Sequence, residues 1–104
     1  MPRQLDIVEN LNVGSRGSYP FLIVLQSDQV SSFSSVIAAP LAVSSGPFAR
    51  SRIHPTVEIA GARYVVLSER LAAVQTATLG RVIGSAENSR YEIIAALDML
   101  FTGI

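Results

Sequence analysis

The 104 residues contain no cysteine. Disulfides, thiolate nucleophiles and thiolate metal sites are thereby excluded. Lysine is absent too, so all eight cations are arginines, a bias that fits codon usage in a GC-rich genome better than a demand for bidentate contacts. Charge itself is scarce: 15% of residues are ionic, against about 25% in an average globular protein. Eight acids balance the eight arginines, and a chain without net field does not gather nucleic acid or anionic membrane by bulk electrostatics. No run reaches the roughly 18 apolar residues of a membrane span, and the opening "MPRQLDIVEN" has no apolar core of signal-peptide type. The expectation is a cytoplasmic protein with no cofactor, no membrane contact and no direct nucleic-acid binding.

Catalytic signatures are equally sparse. There is no G-x-S-x-G elbow, no P-loop, no G-x-G-x-x-G cradle and no internal repeat. The one histidine, His54, precedes Pro55 without acids at ligand spacing, and reads as a partly exposed structural residue. Glu58, Glu69, Glu87 and Glu92 lie far apart and read as solvated surface, while Arg50 and Arg52 in "FARSRIH" read equally as a solvated loop or a grip on an acidic partner. These readings point away from an enzyme and towards a binding protein. With 49% hydrophobic residues and so little charge, part of the surface is expected to be a partner interface.

What is present is a β-rich pattern in a chain the size of one domain, 1–104. Leu5 to Val8 reads as a short strand, and "ENLNVGSRGS" as a turn-rich loop. "YPFLIVL" (Tyr19 to Leu25) and "VIAAPLAV" (Val36 to Val43) read as strands of a long-looped hairpin, with Pro40 arguing for an edge or a bulge. "SSGP" signals a turn, and "TVEIA" with "RYVVL" flank Gly61 as a hairpin does. "LAAVQ" and "GRVIG" are short strand candidates, although "SERLAAVQTA" is also compatible with a helical turn. Ser89 and Glu92 have capping-box spacing for a C-terminal helix in which Ile93, Ile94, Leu97, Leu100 and Phe101 form one apolar face and Gly103 supplies the stop. Strands in this number with one helix predict a mostly β, α+β domain with a curved sheet or barrel under the helix.

Four segments in one order, "YPFLIVLQSDQV", "APLA", "HPTVEIAG" and the ending "LFTGI", resemble the CcdB family of toxins from bacterial toxin-antitoxin pairs over essentially the whole chain. The resemblance implies an SH3-like barrel of the CcdB/MazF kind with a small extra sheet and a long C-terminal helix, assembled as a homodimer. It also implies a cognate CcdA-like antitoxin and, as target, the A subunit of DNA gyrase, trapped while DNA is cleaved. Such a protein inhibits by binding, and is not itself an enzyme.

The family's gyrase surface comprises the last three residues, a polar helix residue shortly before them, and the pair after Q-S-D. In this chain those positions are Thr102, Gly103 and Ile104, then Asp98, and Gln29 with Val30. Gly103, Ile104 and Val30 match the pattern. Thr102 replaces a tryptophan, Asp98 an asparagine, and Gln29 an aliphatic residue. A tryptophan at the centre of a two-fold surface is a hot spot worth roughly 2 kcal/mol, so two lost copies predict about a thousandfold weaker binding to gyrase. For the antitoxin, the resemblance points to the loop Asn10 to Gly17, with Asn10, Asn12 and Arg16 as contacts; Leu100 and Phe101 are expected at the dimer interface. The three departures also support another reading, a non-toxic or retargeted homologue serving as an antitoxin-binding module of a repressor complex. An endoribonuclease of the related MazF type, using Arg50, Arg52 or Arg63 on phosphate, is the third.

Overall fold

The computed structural model describes residues 2–30, 34–44 and 51–103. Seven strands and one α-helix follow one another: β1 (Asp6–Asn10), β2 (Phe21–Val24), β3 (Ser35–Val43), β4 (Thr56–Ile59), β5 (Ala62–Val66), β6 (Ala72–Gln75), β7 (Leu79–Ser85) and α1 (Arg90–Thr102). Single 3-10 turns stand at Asp28–Val30, Ser68–Arg70, Thr76–Thr78 and Glu87–Ser89. All strand pairings are antiparallel, in the order β4-β5-β3-β2-β1-β7, with β6 also beside β3.

The nine residues of β3 organise the sheet. Its first half, Ser35–Ala38, pairs with β6, and its last three residues pair with β5. Along the opposite edge Ala38, Ala39 and Pro40 pair with β2. Pro40 is thus neither at an edge nor in a bulge: it stands where one edge of β3 changes partner from β6 to β5, so no ladder donor is missed there. Its carbonyl accepts the Leu67 N–H at 3.0 Å. The result is a mostly β, curled half-barrel, with β4, β5 and the end of β3 as a small three-stranded annex and a single C-terminal helix.

Both faces of β1 and β2 are covered, which is why these strands read as continuous apolar runs rather than strict alternation. Ile7 and Ile23 enter the main core with Leu41, Val66 and Ile93; Val8 and Leu22 enter a smaller cluster on the other face with Ala38. The β4–β5 turn uses Ala60 (φ 50°) and Gly61 (φ 84°), both left-handed, as the tight hairpin turn that matches strand twist requires. β1 runs on to Asn10 because Glu9 pairs with Phe21, two residues past the expected end, and β2 starts only after Pro20. Apart from Ser44, the turn expected at "SSGP" lies outside the described residues.

The capping box does not form. A 3-10 turn precedes α1, the Arg90 N–H bonds to the Glu87 carbonyl, and the Ser89 hydroxyl instead donates to the Thr56 carbonyl at 3.2 Å. Ser89 therefore ties the helix start to β4 rather than satisfying the helix's own amides.

Candidate partner-binding site

The apolar residues of α1 fall on two sides. Ile93 and Ala96 are buried and Leu97 packs on the core, whereas Tyr91, Ile94 and Phe101 face outward, at 82%, 36% and 69% exposure. The reason is angular: Ile94 is about 100° from Ile93 and Phe101 falls about 20° from Ile94, so these two stand off the side that Ile93 and Ala96 bury. The single apolar face expected from the sequence is corrected accordingly. Of the two expected interface residues, Leu100 is half-buried and Phe101 projects.

At its end the helix is closed internally. Gly103 adopts φ 74° and its N–H reaches the Met99 carbonyl at 3.0 Å, as a left-handed stop does. The Thr102 hydroxyl donates to the Asp98 carbonyl at 2.6 Å, so its polar capacity is engaged within the last turn. Tyr91, Ile94, Ala95, Asp98 and Thr102 line a shallow groove of about 340 Å³ along the outer side of the helix. Thus Asp98 and Thr102 come together, with Gly103 exposed beside them; Ile104 lies outside the described residues.

Gln29 and Val30 stand elsewhere, on the exposed 3-10 turn after β2. That turn is anchored on the side where α1 begins. Asp28 accepts the Gln4 N–H at 2.8 Å and faces Arg3 at 3.5 Å, while the Gln4 side chain donates to the Leu25 carbonyl and accepts from Arg90 at 3.2 Å. Arg90 also holds Glu87 through two hydrogen bonds, which keep the Glu87 carboxyl below its ordinary pKa. Within one protomer, therefore, the turn that carries Gln29 and Val30 is linked through Gln4 to the first residue of α1, whereas Asp98, Thr102 and Gly103 stand at the other end of the helix. Sequence order alone gave no signal for this separation, nor for Gln4 as the link; Tyr91 and Ile94, by contrast, were legible as neighbours of Asp98 at helical spacing.

The loop after β1 is built around two asparagines. Asn10 is buried; its amide donates to the Tyr19 carbonyl at 2.8 Å and to the Ser15 hydroxyl at 3.0 Å, and its oxygen accepts the Asn12 N–H. Asn12 in turn accepts from Gly14 at 2.9 Å, and its carbonyl from the Arg16 N–H. Asn10 thus shapes the loop, and what the loop offers outward is Arg16 together with the exposed Leu11 and Val13.

Arg52 and Arg63 border two adjoining hollows that share Thr56 and Ser89, but Glu58 and Glu92 line the same hollows, which cancels the cationic character a phosphate site needs. Arg50 lies outside the described residues. His54 pairs with Glu69 at 2.8 Å. Among the described residues no cluster of His, Asp and Glu is arranged to hold a metal, and no helix is long and apolar enough to cross a membrane.

The sequence profile of the family described as CcdB protein matches residues 4–103. No curated protein matches the chain. Two solved structures are similar in fold. One is described as an endoribonuclease in complex with its cognate antitoxin from a mycobacterial species, at TM-score 0.77 and 14% identity over 95% of this chain and 93% of that one. The other, described as the crystal structure of an Mtb toxin, has TM-score 0.72 and 17% identity over 91% and 99%.

Proposed function

Because this chain belongs to the CcdB family, whose members are the toxins of bacterial toxin-antitoxin pairs, we propose that it acts as a homodimeric, cytoplasmic toxin that binds the A subunit of DNA gyrase and is neutralised by a cognate CcdA-like antitoxin. The observation that carries this reading is the exposed last turn of α1, where Asp98, Thr102 and Gly103 share one surface and the Thr102 hydroxyl and Gly103 N–H are bonded within the helix. A polar group already bonded within the helix loses nothing when a partner covers it. In a two-fold dimer joined near Leu100 and Phe101 this turn is presented twice at the centre, with the Gln29–Val30 turns as outlying contacts. Arg16 on the loop after β1 suits the carboxylates of an acidic antitoxin tail, with Asn10 and Asn12 setting the loop's shape.

No residue is assigned to bond-making: inhibition by this route needs only that the dimer hold gyrase in the cleaved state. The experiment is a supercoiling assay with purified gyrase. Inhibition with accumulation of cleaved DNA supports the reading, and intact supercoiling activity without cleaved DNA overturns it. Thr102→Trp adds two aromatics to the dimer and is expected to tighten binding to gyrase by up to about a thousandfold, each being worth about 2 kcal/mol.

Two other readings stay distinguishable. The similarity in fold to a structure described as an endoribonuclease favours a test with defined RNA, in which cleavage lost on Arg63→Ala would establish an enzyme instead. Growth arrest on expression without antitoxin would exclude a purely non-toxic, repressor-complex role.

A further inference from the structure

Three strands keep an unpaired edge among the described residues: β4 and β7 end the sheet, and β6 pairs with β3 alone. Edges left open to solvent are ordinarily protected by charge, proline or a bulge, because a bare row of N–H and C=O groups recruits another strand. β4 carries Glu58, and β7 carries Arg81 beside register shifts in its ladder. β6 (Ala72–Gln75) has none of these devices. Its edge is nevertheless equipped for pairing. Ile37 turns both main-chain groups towards the end of β2, donating to Gln26 Oε1 at 3.1 Å and accepting the Leu25 N–H at 2.9 Å. Ala73 faces Ile37 in the ladder, so by antiparallel alternation its own N–H and carbonyl point away from β3, as those of Gln75 do two residues on. The Gln75 carbonyl accepts from Thr78 Oγ1 at 2.7 Å; both Ala73 groups and the Gln75 N–H have no partner among the described residues.

A groove of about 420 Å³ borders this edge. Val74, Gln75 and Thr78 bound it on one side, Asn12 and Ser15 of the loop after β1 on the other, and Leu22 lies in its floor. Val74 and Leu22 belong to the smaller core cluster, so the floor is apolar, and no charged side chain lines the groove. Arg16, next to Ser15, is exposed and its guanidinium has no ion pair among the described residues. We propose that the free edge of β6 is a docking site for an extended, acid-bearing segment of a partner protein, which adds a strand to the sheet, rests an aliphatic side chain on Leu22 and Val74, and sets a carboxylate by Arg16. Main-chain hydrogen bonds to the edge supply affinity, and the groove beside it selects the side chain. The occupant is a single chain because the loop wall stands beside the edge; a second copy's β6 would bring its own β3 and loop into the same width. The proposal deepens the antitoxin reading and rests on it for the identity of the partner, while the mode of binding follows from the edge.

Calorimetric and NMR titration with synthetic peptides tests this. One is a blocked hexapeptide that alternates threonine and valine and ends in two aspartates. A second is the same chain N-methylated at its four central amides, so that it cannot pair with an edge, and a third has asparagines for the aspartates. The first is expected to bind with shift changes at Asn12, Ala73 and Gln75, the N-methylated form at least about tenfold more weakly and the asparagine form about threefold more weakly. Ala73→Pro removes an outward donor without breaking a bond to β3, and is expected to lower affinity for the first peptide by about tenfold. The N-methylated peptide, read on the unaltered protein, decides the point whether or not that variant folds. No binding of the first peptide, equal affinity for it and its N-methylated form, or shifts confined to another surface overturns the proposal. So does a fall in sedimenting mass in Ala73→Pro, which would mean that a second copy covers the edge. Purified antitoxin that binds without shifting Ala73 or Gln75 leaves the antitoxin reading standing and removes the strand addition. Antitoxin that fails to bind while the first peptide pairs with the edge removes that partner and keeps the docking site.

Discussion

Position 80 shows how far one missing side chain reaches. A Cβ on Gly80 would lie 2.8 Å from the Cβ of Glu9, closer than packed carbons approach, so β7 closes against β1 only because the residue is glycine. The close approach seats Arg81 on Glu9, whose carboxylate accepts the Arg81 main-chain N–H and its Nε, each at 3.3 Å, beside the register shift that follows Val8. These hydrogen bonds hold the Glu9 carboxyl below its ordinary value of 4.5. With the folded-state pKa depressed, the pair stabilises the fold above about pH 4.5 and ceases to do so as pH falls through the lower folded value. Both groups are solvated, so the effect is small. Glu9→Gln is therefore expected to melt slightly below the unaltered protein near pH 7, with a smaller gap near pH 3, and calorimetry at the two pH values reads the difference. Equal melting at neutral pH would mean that the pair contributes nothing. Gly80→Ala, whose defect is steric, is expected to lower the melting temperature at both. Neither partner could be matched from the sequence, because 72 residues separate Glu9 from Arg81.

Among the elements, those whose signal is local were legible. The β4–β5 hairpin shows itself in Gly61 between two alternating arms, and α1 in its apolar spacing and its glycine stop. What escaped depends on contacts between elements. Ser89 has the right spacing to cap α1, yet its hydroxyl serves β4, and no local pattern reveals which acceptor lies nearer. Leu5 is a sharper case. A leucine at φ 69° costs about 1 kcal/mol or more, and it persists because the side chain is fully buried, its N–H meets the Val24 carbonyl at 2.7 Å and its carbonyl accepts from Ala86 at 2.8 Å. That bend turns the preceding Gln4 towards Asp28, Leu25 and Arg90 at once, so its side chain joins the end of β2 to the start of the helix while its main-chain N–H holds Asp28 of the 28–30 turn. Gln4→Ala keeps the main-chain bond to Asp28 but loses the bonds to Leu25 and Arg90, so the Val30 amide, bonded to the Ser27 carbonyl, should exchange with solvent modestly faster, while amides of β3 keep their protection. Unchanged exchange at Val30 would mean that Asp28 alone fixes the turn.

At the scale of the whole molecule, order along the chain identified the family, while the shape of the contact surface had to come from the fold. "QSDQV" and "LFTGI" read as one surface in the sequence, but Asp28 is linked through Gln4 to the start of α1 while Thr102 and Gly103 end it, so their cooperation rests on the dimer proposed above. Phe101 decides that question most directly. It is 69% exposed, and an aromatic ring left in water at the end of a helix is the feature expected where a second subunit completes the fold. An exposed position has no core to lose, so Phe101→Arg should leave the protomer folded while placing two like charges near each other across a two-fold axis. The expected outcome is a far-UV circular dichroism spectrum like that of the unaltered protein, with sedimentation at half its mass. Binding to any target that needs both copies of the last turn should fall with the dimer, and antitoxin contacts made by the loop after β1 within one protomer should persist. If the mass stays that of a dimer, subunit contact lies elsewhere on the half-barrel.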